Sequence, residues 1–151
     1  MGFKSFILKP FAKKIARDID RWAADAVGAQ RKVYRDLLSK GQRTAFGRDH
    51  KLSAGMAYEA FREQVPVRDY EGMRPYVERI KKGEQDVLWP GLPKYFAKTS
   101  GTTSGVKYIP LTKDSMPNHF GSARNALFNY YARTGKGQFL DGKMIFLSGS
   151  P

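Results

Sequence analysis

Between residues 11 and 40 apolar and charged positions alternate with helical timing. Ile15, Ile19, Trp22, Ala26, Val33 and Leu37 recur mostly three or four residues apart, which predicts one stripe of a long amphipathic helix from Phe11 to Lys40. Gly41 stands where such a helix would stop. Lys13, Arg17, Arg21, Arg31 and Arg35 fall on the other faces, interleaved with Asp18, Asp25 and Asp36. This is either a membrane-surface or nucleic-acid helix, or a solvated face whose apolar side packs on the domain; the interleaved acids favour the second.

The pattern then shortens. Gln42 to Leu52, with Gly47, has loop composition, and Ser53 is placed to cap a short helix through Gln64 that turns Met56, Phe61 and Tyr58 inward. Pro66 forces the preceding residue out of helical geometry. Asp69 is the next N-cap, and Tyr70 to Lys82 reads as a helix with Met73, Tyr76, Val77 and Ile80 buried and Gly83 as its stop. Pro75 inside this span predicts an irregular first turn or a later start. Pro90, Gly91 and Pro93 mark a turn, Tyr95 to Lys98 has strand composition, and Lys107 to Leu111 is a second strand that Pro110 assigns to an edge or a bulge. Thr112 can cap a helix to about Arg133, its start delayed by Pro117, with Met116, Phe120, Ala123, Leu127 and Tyr130 or Tyr131 as its stripe and Gly135 as its stop. Asp141-Gly142 turns into a last strand, Lys143 to Leu147.

Helices first, then strand, loop, strand, helix, strand: this is the beginning of an α/β architecture. The apolar run MIFL needs neighbouring strands that the sequence does not supply, so residues 1–151 are expected to be the front part of a larger domain, with no complete second domain.

Composition removes several function classes. The 151 residues include 41% hydrophobic ones, enough for a folded globule, and no cysteine, so disulfides, thiolate nucleophiles and cysteine-based zinc sites are excluded. His50 and His119 have no ligand spacing, and a metal site of protein nitrogen or sulfur is not expected. No apolar run approaches the roughly 18 residues of a membrane span and no leader with a cleavage site opens the chain, so the expected address is the cytoplasm. Gly2 is placed for myristoylation, but Phe6 stands where Ser or Thr is required. The net charge of +13 attracts polyanions in general, which keeps a basic nucleic-acid-binding or anionic-membrane-binding module as the alternative function. Against nucleic acid, the aromatics fall mainly at core positions and form no RNA-binding signature.

The densest chemistry lies in KTSGTTSGVKYIPLT, Lys98 to Thr112. Thr99, Ser100, Thr102, Thr103 and Ser104 supply hydroxyls, Gly101 and Gly105 free the backbone, and Lys98 and Lys107 flank the run. Phosphate oxygens need such converging donors and cations, because desolvating a multiply charged anion is costly unless hydrogen bonds replace its water. The spacing is not G-x-x-x-x-G-K-[ST], a strand follows instead of a helix, and GxGxxG is absent. On the residues alone a phosphate loop, a plain hairpin connection and a modification tract all remain open.

TSGTTSGVK resembles the phosphate-binding loop of the adenylate-forming enzymes. The wider run VPVRDYEGMRPYVERIKKGEQDVLWPGLPKYFAKTSGTTSGVKYIPLT, Val65 to Thr112, with FGRDHKLS and AYEAF before it, is similar to the Gretchen Hagen three (auxin-responsive promoter) family of acyl acid amido synthetases, bacterial members included. The resemblance covers roughly residues 35 to 151. It implies the first helices, strands and helix of the large adenylate-forming domain, here incomplete. It also implies a ligase in which a carboxylic acid attacks the α-phosphate of ATP and the acyl group then passes to an amine such as an amino acid. By position, Thr99, Ser100, Gly101, Thr102 and Thr103 would hold the triphosphate and Lys107 would assist. Arg124, on the helix that helps line the acyl pocket in the family, could meet the carboxylate, although an exposed surface arginine is the commoner role for that residue type. No catalytic side chain is assigned. Magnesium ligands, the adenine and ribose motifs and the mobile C-terminal domain of the family have no counterpart in this sequence, so the chain alone is expected to be inactive.

Overall fold

The computed structural model describes residues 3–99 and 105–143. Helices α1 (Phe3–Ala24), α2 (Ala26–Gly41), α3 (Ala45–Asp49), α4 (Tyr58–Gln64) and α5 (Tyr70–Lys81) precede strands β1 (Tyr95–Lys98) and β2 (Tyr108–Leu111). Helix α6 (Met116–Thr134) and a 3-10 turn at Gln138–Leu140 follow. The chain divides into two compact units, one of residues 27–117 and one of residues 1–26 with 118–151. Among the described residues the only sheet is the antiparallel β1–β2 pair, and no helix is long and apolar enough to cross a membrane. The expected strand Lys143–Leu147 lies outside the described residues beyond Lys143.

The predicted helix from Phe11 to Lys40 is two helices, interrupted at Asp25. Asp25 and Gly28, both weak helix formers, sit at the break. The predicted stripe holds at Ile15 and fails beyond Ile19. Ala12, Ile15, Ala16 and Leu38 are buried, whereas Trp22, Val33 and Leu37 are more than half exposed. Small alanines, which a hydrophobicity stripe undercounts, form the inward face of α1. That unit is held by an edge-to-face contact of Phe11 on Phe128, ring centres 5.0 Å apart, and by an ion pair of Arg133 with Asp20. Tyr131 is its most deeply buried large side chain.

In residues 27–117 the core cluster is Ala45, Tyr76, Ile80 and Val87, with Phe46, Met73, Leu88 and Phe96 packed against it. The predicted loop Gln42–Leu52 contributes to this core because it contains α3. Thr44 is fully buried at its N-cap. The Thr44 hydroxyl accepts from the Gly47 N–H (3.0 Å) and donates to the Gly41 carbonyl (2.7 Å). The Ala45 and Phe46 N–H groups, which a helix start leaves without intrahelical partners, donate to the carbonyls of Asp86 (2.7 Å) and Val87 (3.0 Å). A helix of five residues is too short for periodicity to reveal, and its central glycine argued against one.

Helix α5 follows the sequence closely. Asp69 accepts from the Gly72 N–H at 2.9 Å, Tyr76, Val77 and Ile80 are buried, and Gly83 ends the helix at φ +89°. Pro75 lies past the first turn and the helix continues through it. The Tyr76 hydroxyl donates to Asp49 Oδ2 at 2.8 Å; burial, reinforced by that carboxylate, raises the phenol's pKa. His50, buried and stacked on Phe46, donates from Nδ1 to the Phe46 carbonyl (2.8 Å) and accepts from Arg68 at Nε2 (2.9 Å). These contacts fix where α5 begins. Helix α4 starts four residues later than predicted: Ala57, not Ser53, occupies its cap, without a side-chain bond. It is placed instead by Tyr34, whose ring meets Tyr58 and Phe61 edge-on at 6.2 and 5.9 Å.

Candidate functional site

The densest chemistry sits at the tip of the β1–β2 hairpin. The register pairs Tyr95 with Leu111, Phe96 with Pro110, Ala97 with Ile109 and Lys98 with Tyr108. One further bond, from the Thr99 N–H to the Lys107 carbonyl at 3.1 Å, closes the ladder at the loop end. Gly105 carries φ +77°, a left-handed conformation that a side chain disfavours, and so turns the returning chain into β2.

Three contacts tie this end to α5. The Tyr108 N–H donates to the Tyr70 hydroxyl at 2.9 Å, the Lys81 ammonium lies 4.6 Å from the Tyr108 ring centre, and Lys107 Nζ lies 5.8 Å from that of Tyr70. Phe96 meets Tyr108 edge-to-face at 6.3 Å and reaches the core cluster. The hairpin is therefore seated on a helix whose own start is fixed by Asp69. Tyr70→Phe removes the acceptor for the Tyr108 N–H and is expected to weaken this anchor by about 1 to 2 kcal/mol. Hydrogen exchange at the Tyr108 amide should accelerate by roughly tenfold, while the amides of α3 keep their protection.

Thr99 and Lys107, both half-buried, are thus brought together across the hairpin mouth. The Thr99 hydroxyl and Lys107 ammonium make no hydrogen bond or ion pair among the described residues. Ser100, Gly101, Thr102 and Thr103, the other residues assigned to the triphosphate, lie outside the described residues. Tyr70, read from the sequence only as the first residue of a helix, was missed as an anchor; nothing in the pattern distinguishes it from any other helix start.

Arg124 belongs to the other unit, where it is exposed on α6. Its Nε and Nη2 donate to Asn125 Oδ1 (3.2 and 3.1 Å), and its guanidinium lies 5.7 Å from the Phe11 ring centre. It borders an open, apolar concavity of 550 Å³ lined also by His119, Phe120, Ala123, Leu127, Phe128, Phe139 and Leu140. The predicted stripe of α6 thus splits. Tyr131 is buried, while Phe120 is 70% exposed and faces this hollow with Ala123 and Leu127. Phe139 and Leu140 complete it from the 3-10 turn, which carried no periodic signal.

Beside the hairpin, Asp114 accepts from Lys40 Nζ (2.6 Å) and from Trp89 Nε1 (3.2 Å). The ammonium, then the indole N–H, hold its carboxyl below the usual range. Thr112 Oγ1 accepts from the Ser115 N–H at 3.1 Å, so the predicted cap is present but serves a turn that precedes α6.

Comparison with known proteins agrees with the block of residues around the hairpin. A model described as the GH3 family N-terminal domain matches residues 15–150. A probable indole-3-acetic acid-amido synthetase, GH3.7, of Oryza sativa subsp. japonica is 31% identical over 146 residues, covering 88% of this chain and 23% of that protein. A second rice relative, the probable indole-3-acetic acid-amido synthetase GH3.2, is 33% identical over 94 residues, covering 61% of this chain and 15% of its own length. The indole-3-acetic acid-amido synthetase GH3.3 of Arabidopsis thaliana is 28% identical over 102 residues, covering 67% and 17%. The chain therefore spans less than a quarter of the length of these relatives. Its matched segment includes α2 to α6, the hairpin and the apolar hollow, and on that basis the chain belongs to the GH3 family of acyl acid amido synthetases.

Proposed function

We propose that residues 1–151 form the N-terminal part of the adenylate-forming domain of an ATP-dependent acyl acid amido synthetase, and that the β1–β2 connection clasps the triphosphate of ATP. The observation that carries this reading is the hairpin itself. Two short strands seated on α5 hold Thr99 and Lys107 at the mouth of a connection of sequence SGTTSGV, and no acidic residue occurs from Lys98 to Lys113. That donor set suits phosphate oxygens: hydroxyls and glycine-freed N–H groups to bond them, and an ammonium to offset their charge. Thr99, Ser100, Gly101, Thr102 and Thr103 hold the phosphates, with Lys107 beside them. Magnesium is held by groups beyond this chain.

The family relation supports the following reaction. A carboxylate oxygen attacks the α-phosphorus, pyrophosphate leaves, and an amine, such as that of an amino acid, displaces the nucleotide from the activated acyl group. What this chain contributes is orientation and charge stabilisation. The apolar hollow of α6 suits the body of an acid such as the indole-3-acetic acid named for the relatives, and Arg124 at its border suits the carboxylate. A protein carrying this chain within the full length of its relatives should catalyse carboxylate-dependent exchange of labelled pyrophosphate into ATP. Absence of exchange across a broad panel of aromatic and aliphatic acids would refute the reading.

A further inference from the structure

Cations lie over aromatic rings where the hairpin meets α5, and they differ in what else holds them. Lys81 Nζ is 4.6 Å from the Tyr108 ring centre and is paired with Glu78 Oε1 at 2.8 Å. The Arg74 guanidinium is 6.0 Å from the Tyr70 ring centre and is paired with Glu71 Oε1 at 2.7 Å. Lys107 Nζ, 5.8 Å from the same Tyr70 ring, has no carboxylate partner among the described residues. The ring that meets it is itself fixed. Tyr70 opens α5 behind the Asp69 cap, and its hydroxyl accepts from the Tyr108 N–H at 2.9 Å, one residue from Lys107. Tyr70 and Lys107 are both half-buried.

We propose that Tyr70 is a positioning residue for the phosphate site, its ring restraining the Lys107 ammonium while leaving that charge for the ligand. This rests on the reading of the β1–β2 connection as a triphosphate clasp. A lysine stem is flexible, so an unrestrained ammonium loses conformational freedom when it meets a phosphate. A carboxylate partner, of the kind that Glu78 gives Lys81, would restrain the ammonium but also compete with the phosphate oxygens and repel them. An aromatic face attracts the cation through its quadrupole and carries no net charge. The two parts of Tyr70 therefore act separately: the hydroxyl holds the backbone where β2 begins, and the ring presents the ammonium one residue earlier.

The test is a double-mutant cycle on the 151-residue chain, read by calorimetric titration with tripolyphosphate, with the Lys107 side chain followed by NMR. In the unmutated chain the Lys107 Hε protons should lie upfield, shifted by the Tyr70 ring current. That shift should persist in Tyr70→Phe and vanish in Tyr70→Leu. Lys107→Gln should weaken tripolyphosphate binding about tenfold. Tyr70→Leu should weaken it about threefold more than Tyr70→Phe, which loses the same hydroxyl but keeps the ring. With Lys107→Gln already present, the two Tyr70 substitutions should give equal affinities. Absence of the upfield shift in the unmutated chain would overturn the inference and leave the clasp standing, and this reading needs no variant to fold. Binding that Lys107→Gln leaves unchanged, or a Leu–Phe difference of the same size in both Lys107 backgrounds, would do likewise. No tripolyphosphate binding by the unmutated chain would overturn the clasp and the inference together.

Discussion

Gly47→Ala is expected to lower stability by about 3 kcal/mol or more, seen as a fall in melting temperature of roughly 6 to 12 °C. A Cβ at this position would lie 2.0 Å from the Gly41 carbonyl oxygen, 2.8 Å from its carbon and 2.9 Å from the Gln42 Cα. All three are backbone atoms, so no rotamer change relieves the clash. Yielding would require the turn before α3 to move, and that turn is fixed from both sides. Thr44 bonds Gly41 and Gly47, and Asp86 and Val87 bond Ala45 and Phe46. The damage should therefore spread to the core around Tyr76 and Val87. Gly55→Ala, where a Cβ meets nothing within 4 Å, is the matched control and should shift the melting temperature by no more than about 2 °C.

The second large effect concerns binding. Ser100→Ala combined with Thr102→Ala is expected to weaken tripolyphosphate binding to the chain by about a hundredfold, since each hydroxyl lost removes a hydrogen bond to a charged oxygen worth roughly 1.5 kcal/mol or more. The hairpin should survive. Its ladder, from the Lys94–Leu111 bond to the Thr99–Lys107 bond, and its anchor on Tyr70 use neither side chain. Calorimetric titration with tripolyphosphate, beside a thermal melt of each variant, separates the two effects. Unchanged affinity would remove the hydroxyls from the site, and lost affinity with a lower melting temperature would mean that they serve the fold.

The parts of the molecule legible in the sequence are those fixed by local chemistry. Asp69 capping α5, Gly83 ending it, and Tyr95–Lys98 as a strand each depend on residues within one or two turns. Long-range fixing was invisible. The five residues of α3 are helical because carbonyls some 40 positions later accept their N–H groups, and Gly47 fits there because only a hydrogen leaves room for Gly41. The break at Asp25 and the exposed Trp22 and Leu37 show a different limit. Periodicity locates a stripe of large side chains, whereas the buried side of α1 is made mostly of alanine. For the candidate site, sequence supplied the donor set and its two ends, Thr99 and Lys107, but not the Tyr70 anchor or the 3-10 turn that completes the apolar hollow.

The central claim is that the β1–β2 connection binds a triphosphate, and amide chemical-shift mapping on the nitrogen-15-labelled chain addresses it directly. Titration with ATP and with tripolyphosphate should move the Thr99, Gly105 and Lys107 amides together along one saturating curve, and AMP should leave them in place. Shifts confined to Lys13, Arg17 and Arg21 of α1, or equal shifts with AMP, would contradict the account.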